Sequence, residues 1–235
     1  MMSRMMIAAA SCVAVGASVD HVSMVQAKMQ VNSSAIAKAA LQVGDSPYPK
    51  NLVNYRCQQV DPIDIDLERY AANSWFVQEQ QVVAYQPESE MRCVIATYDI
   101  GEPVSQMTKN MGSYSYKTLD VYNYHLNGYA TKNEDGTPAK GAAFCGVNYD
   151  EGKQGALKVA PMCPDVEGSL GYYHVVKVGG DYDWILVVGG PLTVYNGKTG
   201  LCTTARGYDA SGLWLMSKEQ VMDPMVIEEA KEWAM

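Results

Sequence analysis

Apolar and polar residues alternate in short runs along most of the chain downstream of Cys57, which is the period-two pattern of half-buried β-strands. The pattern is organised around the stretch 67–85. A short acidic and apolar segment at residues 63–67 leads to Trp75, and alternating residues follow the tryptophan. Turn signals containing Gly or Asp separate the later runs. The pattern predicts eight strands, at residues 74–85, 93–100, 119–127, 141–149, 156–162, 170–178, 184–189 and 213–218.

The chain beyond the last predicted strand has the features of a short helix. Asp223 is a favourable N-cap, and Pro224 follows it at the first helical position. Val226, Ala230 and Trp233 then recur at helical spacing. The sequence therefore predicts one short C-terminal helix on the outside of the sheet, after two long connections at residues 101–118 and 190–212.

Eight antiparallel strands and a terminal helix predict an all-β fold, an up-and-down barrel with a short C-terminal α-helix. Closure of the sheet removes its exposed edges, and eight strands leave room for one small ligand. A sandwich of two sheets is the competing fold. In a barrel, a tryptophan at the start of the first strand is typical of a floor, and the face of its ring needs a partner. We expect another strand to bring a cation to Trp75.

The N-terminal part of the chain differs from the rest in composition. Arg4 precedes an apolar segment at residues 5–19, too short to span a bilayer comfortably, and small residues at 15–17 suit a cleavage site. Three parts are therefore predicted: a signal peptide at 1–17, a disordered or transit-like leader and linker at 18–56, and the barrel domain at 57–235. The predicted location is secreted or lumenal, with the lumen of a plastid as the alternative.

Composition narrows the choice of partner. With 26 acidic and 18 basic residues the net charge is −8, which argues against nucleic acid as a partner. The chain has 16 tyrosines and four tryptophans against two phenylalanines, which suits an apolar cavity with a wet edge or an exposed aromatic surface. Six cysteines are present, and Cys12 lies in the predicted signal peptide. The five that remain after its removal allow two disulfides and one odd thiol, and favour an oxidising compartment.

No catalytic or metal-binding constellation is predicted. The three histidines, His21, His125 and His174, are scattered, and in a strand such residues are more often satisfied by hydrogen bonds than used as ligands. No Gly-rich phosphate loop follows a strand and opens a helix. The carboxylate clusters at 61–68 and 228–232 are typical of solvated faces or caps. We therefore expect no metal and no required cofactor.

Three segments of the chain, in order, resemble the lipocalin family. Asn73-Ser74-Trp75 is similar to the family's Gly-x-Trp segment, with asparagine in place of glycine. Residues 180–187 are similar to the motif before the seventh strand, with a glycine and a tryptophan as departures, and residues 213–218 are similar to the eighth-strand motif, with Lys218 in place of the usual arginine. The resemblance covers residues 57–235 and implies a barrel whose floor is Trp75 with Lys218 packed over its ring.

Within that family, the apolipoprotein D, bacterial lipocalin and bilin- or carotenoid-binding branches are the most similar. The resemblance implies a disulfide between Cys57 and Cys202, while Cys93 pairs with Cys163 or Cys145 or remains a thiol. It also implies a ligand cavity and the side chains that face it. The implied ligand-binding residues are Tyr98, Trp214 and Met216, with Asn127 or His125 supplying a polar contact at the mouth.

The function implied by this resemblance is the transport of a small hydrophobic ligand: a lipid, fatty acid, sterol, carotenoid or bilin. Two alternatives stay open. In the first alternative, the barrel is a structural or accessory subunit of a larger pigment or membrane complex, with peripheral association at the membrane. In the second alternative, the chain is a thiol-dependent enzyme with Cys145 as nucleophile. The favoured interpretation of Cys145 is instead a buried inert cysteine or a disulfide partner.

Overall fold

A computed structural model describes residues 48, 54, 56–86, 88, 91–104, 116–125, 128–129, 144–150, 152–160, 171–207 and 210–234. The described elements include two helices, α1 and α2, and the strands β1 to β11. In chain order they are α1 Leu67–Ala71, β1 Ser74–Gln80, β2 Ile95–Val104, β3 Tyr116–His125, β4 Gly128–Tyr129, β5 Phe144–Asn148, β6 Ala156–Ala160, β7 Gly171–Gly179, β8 Trp184–Val188, β9 Leu192–Asn196, β10 Leu201–Thr204, β11 Leu213–Ser217 and α2 Pro224–Ala234.

Eight of these strands close into an antiparallel barrel. Around the ring the order is β1, β2, β3, β5, β6, β7, β8 and β11, and β11 pairs with β1 again. The ring is continuous because β2 pairs with β1 on one side, Trp75 opposite Ala96, and with β3 on the other, Tyr98 opposite Val121. The predicted all-β barrel is confirmed, and the two-sheet sandwich is wrong.

All eight predicted strands are present, with shifted ends. The prediction for the first strand was too long, because β1 stops at Gln80 and not at Tyr85. The Gln81 N–H still donates to Leu213 O at 2.9 Å, but the chain then turns, and Val83 forms an isolated bridge with Gln86. The apolar–polar alternation of the sequence continues past Gln80, but the strand ends there because the chain reverses direction.

The predicted connection at residues 190–212 contains a hairpin that the strand count missed. β9 and β10 pair with each other in a separate two-stranded sheet, Cys202 opposite Tyr195. Gly200 in the turn between them has φ +74°, which is accessible to glycine without strain. The sequence of this connection, an apolar run, a Gly-containing turn and a second run, is typical of such a hairpin.

The lead-in to the first strand contains a short helix that the pattern did not predict. The Asp66 carboxylate accepts hydrogen bonds from the N–H groups of Glu68 and Arg69, at 3.1 and 3.0 Å, and so caps α1. Leu67 and Tyr70 on this helix are buried. Because α1 directly precedes β1, its buried side chains close the end of the barrel at which β1 begins.

Alternation along the strands separates two apolar layers. On β8, Ile185 and Val187 point into the barrel, where they join an interior cluster with Trp75 and Leu157. Trp184, Leu186 and Val188 point outward and join an outer cluster, which the side chains of α2 cover. The strand is buried on both faces, which explains its continuous apolar sequence.

Helix α2 is confirmed on the outer surface of the sheet. The Asp223 carboxylate accepts from the N–H of Met225 at 2.8 Å, and Ala230 is fully buried in the outer cluster. The Lys231 ammonium lies 2.6 Å from Glu79 Oε1 on β1. Trp233, expected on the buried face, is 43% exposed and has the Lys177 ammonium 5.3 Å from its ring centre. No helix in the described part of the chain has both the length and the apolar character that a membrane span requires.

The disulfide between Cys57 and Cys202 is confirmed, with the two Cα atoms 5.8 Å apart. It joins the chain entering the barrel to the β9–β10 hairpin, and both residues are buried in the outer cluster. A buried disulfide is consistent with an oxidising compartment. The predicted signal peptide at 1–17 lies outside the described residues, as does the leader except for Tyr48, Asn54 and Arg56.

Candidate functional site in the barrel interior

The floor of the barrel is built by α1 and the first residues of β1. Trp75 is fully buried, and its indole N–H donates to Tyr70 O at 3.0 Å. The Tyr70 ring stacks on the indole with the ring centres 5.4 Å apart and the planes inclined by 25°. The aromatic face of Trp75 is therefore covered by a tyrosine, and the carbonyl of the same residue satisfies its polar atom.

The predicted contact between Lys218 and Trp75 is not among the cation–π contacts of the described residues. The Lys218 ammonium lies 3.0 Å from Asp183 Oδ1 and donates to Asp181 O at 3.2 Å, and the Lys218 N–H donates to Asp183 O at 3.0 Å. This ion pair lowers the pKa of the Asp183 carboxyl. Lys218 thus fastens the end of β11 to the β7–β8 turn, because a carboxylate and a carbonyl were within reach of its ammonium.

Three tyrosine hydroxyls meet inside the barrel. Tyr173 on β7 lies in the middle, with its hydroxyl 2.8 Å from that of Tyr70 and 2.7 Å from that of Tyr98 on β2. Tyr70 and Tyr98 are buried, and their ring centres are 4.8 Å apart. A phenol both donates and accepts a hydrogen bond, so this trio presents hydrogen-bonding groups within a mainly apolar interior.

Burial keeps the trio uncharged. Loss of hydration raises the pKa of the Tyr70, Tyr98 and Tyr173 hydroxyls, because the phenolate would have to exist in apolar surroundings. The hydroxyls of Tyr173 and Tyr98 raise the pKa of Tyr70 further, and that of Tyr98 raises the pKa of Tyr173. At ordinary pH the trio therefore offers neutral hydroxyls, which suit a neutral polar group better than an ion.

Trp214 extends the aromatic wall from the trio toward the other end of the barrel. Its ring stacks on that of Tyr173, with centres 6.2 Å apart and planes inclined by 27°. Gly212 has φ +113°, and a Cβ there would lie only 2.0 Å from Trp214 Cη2, so the indole lies against the bare backbone just before β11. Met216, two residues further along the same face, is buried in the interior cluster.

The structure thus places Tyr98, Trp214 and Met216 in the barrel interior, and their role in binding stays a prediction. β3 runs in the same direction as β1, since both are antiparallel to β2, so the backbone of His125 ends β3 at the end of the barrel opposite α1. There it pairs with Gly128. Asn127 and the side chain of His125 lie outside the described residues.

Gln80 places an amide on the inner wall beside Trp214. The two residues are directly opposite each other on β1 and β11, so their side chains share the inner face. Gln80 is 8% exposed, and its amide nitrogen donates to Gln86 Oε1 at 3.3 Å. Its carbonyl oxygen is buried without a hydrogen-bond partner among the described residues.

The sequence prediction missed Tyr70, Tyr173 and Gln80. The sequence has an excess of tyrosine, but composition does not determine which tyrosines contact each other. Tyr173 follows Tyr172 on a predicted strand, so one of the pair had to face inward. Tyr70 lies on the unpredicted helix α1, and the orientation of Gln80 follows a β-bulge between Val77 and Glu79.

A second aromatic cluster lies on the outer wall, around His174 on β7. The imidazole is fully buried, its Nδ1 is 2.9 Å from the hydroxyl of Tyr48, and its Nε2 is hydrogen-bonded to the hydroxyl of Tyr149. The Lys158 ammonium lies over the ring of Tyr149 at 4.9 Å and over that of Tyr172 at 5.1 Å. Both ring nitrogens of His174 are satisfied, which confirms its interpretation as a structural strand residue.

Cys145, on β5, is disulfide-bonded and buried. Its sulfur is therefore not a thiolate, and of the two favoured interpretations, a buried inert cysteine or a disulfide partner, the structure supports the second. Within the described ranges, no group of three His, Cys, Asp or Glu side chains is placed to hold a metal ion.

The described interior therefore has a closed aromatic floor, a neutral tyrosine trio at mid-height and an indole and an amide beyond it. Such a wall, mainly apolar with a few convergent polar groups, has the chemistry of a small-molecule site. No protein-family model matches the sequence, and no curated protein matches it.

Proposed function

We propose that the chain is a lipocalin that binds and carries a small hydrophobic molecule inside its barrel: a lipid, fatty acid, sterol, carotenoid or bilin. A closed eight-stranded barrel is compatible with small-ligand binding. The observation that carries the proposal is the inner wall, where Trp214 and Met216 lie next to the hydroxyls of Tyr98 and Tyr173. The proposed location is secreted or lumenal, which the buried disulfide supports.

Binding is driven by desolvation. Apolar ligand surface that leaves water for the barrel contributes about 25 cal/mol for each Å² buried. The stacked rings of Tyr173 and Trp214 offer a flat apolar surface, and the tyrosine trio hydrogen-bonds the polar part of the ligand. The trio supplies orientation, because a polar group left without a partner in the interior costs about 1–3 kcal/mol.

The test is the binding of N-phenyl-1-naphthylamine, a neutral apolar dye whose fluorescence rises when it leaves water. We expect a saturable rise with one dye per chain. Trp214→Ala should weaken dye affinity at least about tenfold, corresponding to about 1.4 kcal/mol of binding free energy. The matched control is Trp233→Ala, which removes the same side chain from the exposed surface of α2 and should leave affinity unchanged.

The melting temperature of each variant is measured alongside affinity. A loss of affinity in Trp214→Ala without a comparable loss of melting temperature identifies Trp214 as a binding residue. If the dye fails to saturate, or if Trp214→Ala binds as tightly as the unaltered protein, the proposed carrier function is wrong.

A further inference from the structure

One polar atom of the inner wall has no partner in the described part of the chain. The carbonyl oxygen of Gln80 is buried, while the nitrogen of the same amide is held by Gln86 Oε1 at 3.3 Å. The amide is therefore oriented with its oxygen as the unused group. A buried carbonyl oxygen without a donor is unfavourable, and in folded proteins such an atom calls for an explanation.

The neighbouring glutamines of the same strand region are satisfied. The Gln81 amide donates to Thr204 O at 3.0 Å and accepts from Thr204 Oγ1 at 2.6 Å. The Gln78 amide donates to Ser217 Oγ at 3.0 Å and accepts from the Met222 N–H at 3.1 Å. Gln80 differs from both in that it faces the barrel interior, opposite Trp214. The unused oxygen thus lies on the wall that the proposed ligand would contact.

We propose that the ligand carries a hydrogen-bond donor, a hydroxyl or an N–H group, and that Gln80 Oε1 accepts this hydrogen bond. This inference rests on the proposed carrier function. The donor group lies beside the indole of Trp214, while the apolar body of the ligand packs on the rings of Trp214 and Tyr173. Of the proposed ligand classes, sterols, hydroxylated carotenoids and bilins have such a donor.

An ionised carboxylate does not meet this requirement. It has acceptor oxygens only, so it leaves Gln80 Oε1 without a partner and places negative charge beside a carbonyl dipole. The interior tyrosines are neutral and do not offset a buried charge. The described residues therefore favour a neutral alcohol or N–H compound over a fatty acid of the same length.

The test compares three probes with chains of matched length: 1-hexadecanol, hexadecyl methyl ether and palmitate. Each probe displaces bound N-phenyl-1-naphthylamine in a competition titration. The ether keeps an acceptor oxygen but has lost the donor. We expect 1-hexadecanol to bind about tenfold more tightly than the ether or palmitate, the ratio that one hydrogen bond of about 1.4 kcal/mol produces.

Gln80→Met removes the acceptor and keeps the length of the side chain, and Gln80→Leu is the second variant if the first folds poorly. Both should abolish the preference for the alcohol, mainly through weaker alcohol binding. Gln58→Leu makes a similar change at an exposed position and should keep the preference. Melting temperatures identify any variant that has not folded.

The outcomes separate this inference from the proposed function. If the dye does not bind the unaltered protein, the carrier function fails, and the inference fails with it. If the dye binds but the alcohol, ether and palmitate compete equally, the carrier function stands and the donor requirement is wrong. A preference that persists in a folded Gln80→Met protein overturns the assignment of Gln80 as the acceptor.

Discussion

Tyr173 is the residue on which the polar part of the interior depends. Its hydroxyl is hydrogen-bonded to two others, from a helix and a strand far away in the sequence. Its ring also stacks on Trp214. One side chain therefore contacts the floor, the opposite wall and the indole, and its hydroxyl satisfies two buried phenols.

Loss of the central hydroxyl should destabilise the protein more than loss of either outer one. Tyr173→Phe removes the hydroxyl that both Tyr70 and Tyr98 contact, and a buried hydroxyl left without a partner costs about 1–3 kcal/mol. Tyr70→Phe or Tyr98→Phe leaves the remaining pair intact. Free energies of unfolding from urea titrations measure the difference.

Tyr195→Phe is the control, since its ring packs against the outer cluster and should change stability by no more than about 0.5 kcal/mol. Equal destabilisation by all three interior variants would contradict the central role of Tyr173.

At the scale of elements, the β9–β10 hairpin ties the incoming chain to the barrel. Cys202 on β10 is bonded to Cys57, and the Asn54 side-chain N–H donates to Thr193 O on β9 at 2.8 Å. The Gln59 amide donates to Leu192 O at 3.0 Å and accepts from the Leu192 N–H at 2.9 Å. The hairpin therefore anchors the segment that leads to α1 and hence to the floor.

Removal of the disulfide should destabilise the protein strongly. The two cysteines are 145 residues apart, and in the chain-entropy treatment a cross-link over such a loop contributes about 4–5 kcal/mol. The double variant Cys57→Ala with Cys202→Ala should lose about this much free energy of unfolding, as measured by urea titration. Alanine leaves no new buried polar atom in the outer cluster. A loss below about 1 kcal/mol would mean that the hydrogen bonds of Asn54 and Gln59 alone hold the segment.

At the scale of the whole molecule, the chain upstream of Cys57 packs on the outer wall of the barrel through Tyr48. Tyr48 is buried against His174, so part of the segment at 18–56, interpreted from sequence as a leader, contacts the folded domain. Burial, and then the charges of Lys158 and Lys153, lower the pKa of His174 to about 3. The imidazole is therefore neutral in the folded protein under ordinary conditions.

Because folding lowers the pKa of His174, the free energy of unfolding should decrease as the pH falls. An unfolded histidine takes up a proton below about pH 6.5, whereas folded His174 stays neutral down to about pH 3. The unfolded chain then binds more protons, so the contribution of His174 is complete above about pH 6.5 and is lost as the pH falls toward about 3. Urea titrations between about pH 7 and pH 4 should show this decline.

His174→Gln, which does not titrate, should show a shallower decline over the same range. Groups other than His174 titrate in both proteins and cancel in the comparison. Parallel curves for the two proteins would contradict a buried neutral His174.

The alternation of apolar and polar residues determined the strands, and the cap at Asp223 with the helical spacing after it determined the terminal helix, because both patterns are local and each residue's face follows from its neighbours. The number of strands favoured a barrel, but only the closed ring excluded a sandwich of two sheets. The resemblance to the lipocalin family, and not the alternation, predicted that Tyr98, Trp214 and Met216 face the interior, where the structure places them. The prediction from alternation failed where local structure interrupts the pattern, at the Asp66 cap of α1 and at the β-bulge before Gln80.

Only the tertiary structure decided which side chains meet. The Tyr70 and Tyr173 hydroxyls come from positions 103 residues apart, and sequence periodicity contains no distance of that kind. The pairing of β11 with β8 brings the Lys218 ammonium to the Asp183 carboxylate. The turn from α1 into β1 lays the Tyr70 ring on Trp75, so neither residue has the partner that the sequence predicted. Pairing across the barrel depends on closure and register, which arise from the whole chain together.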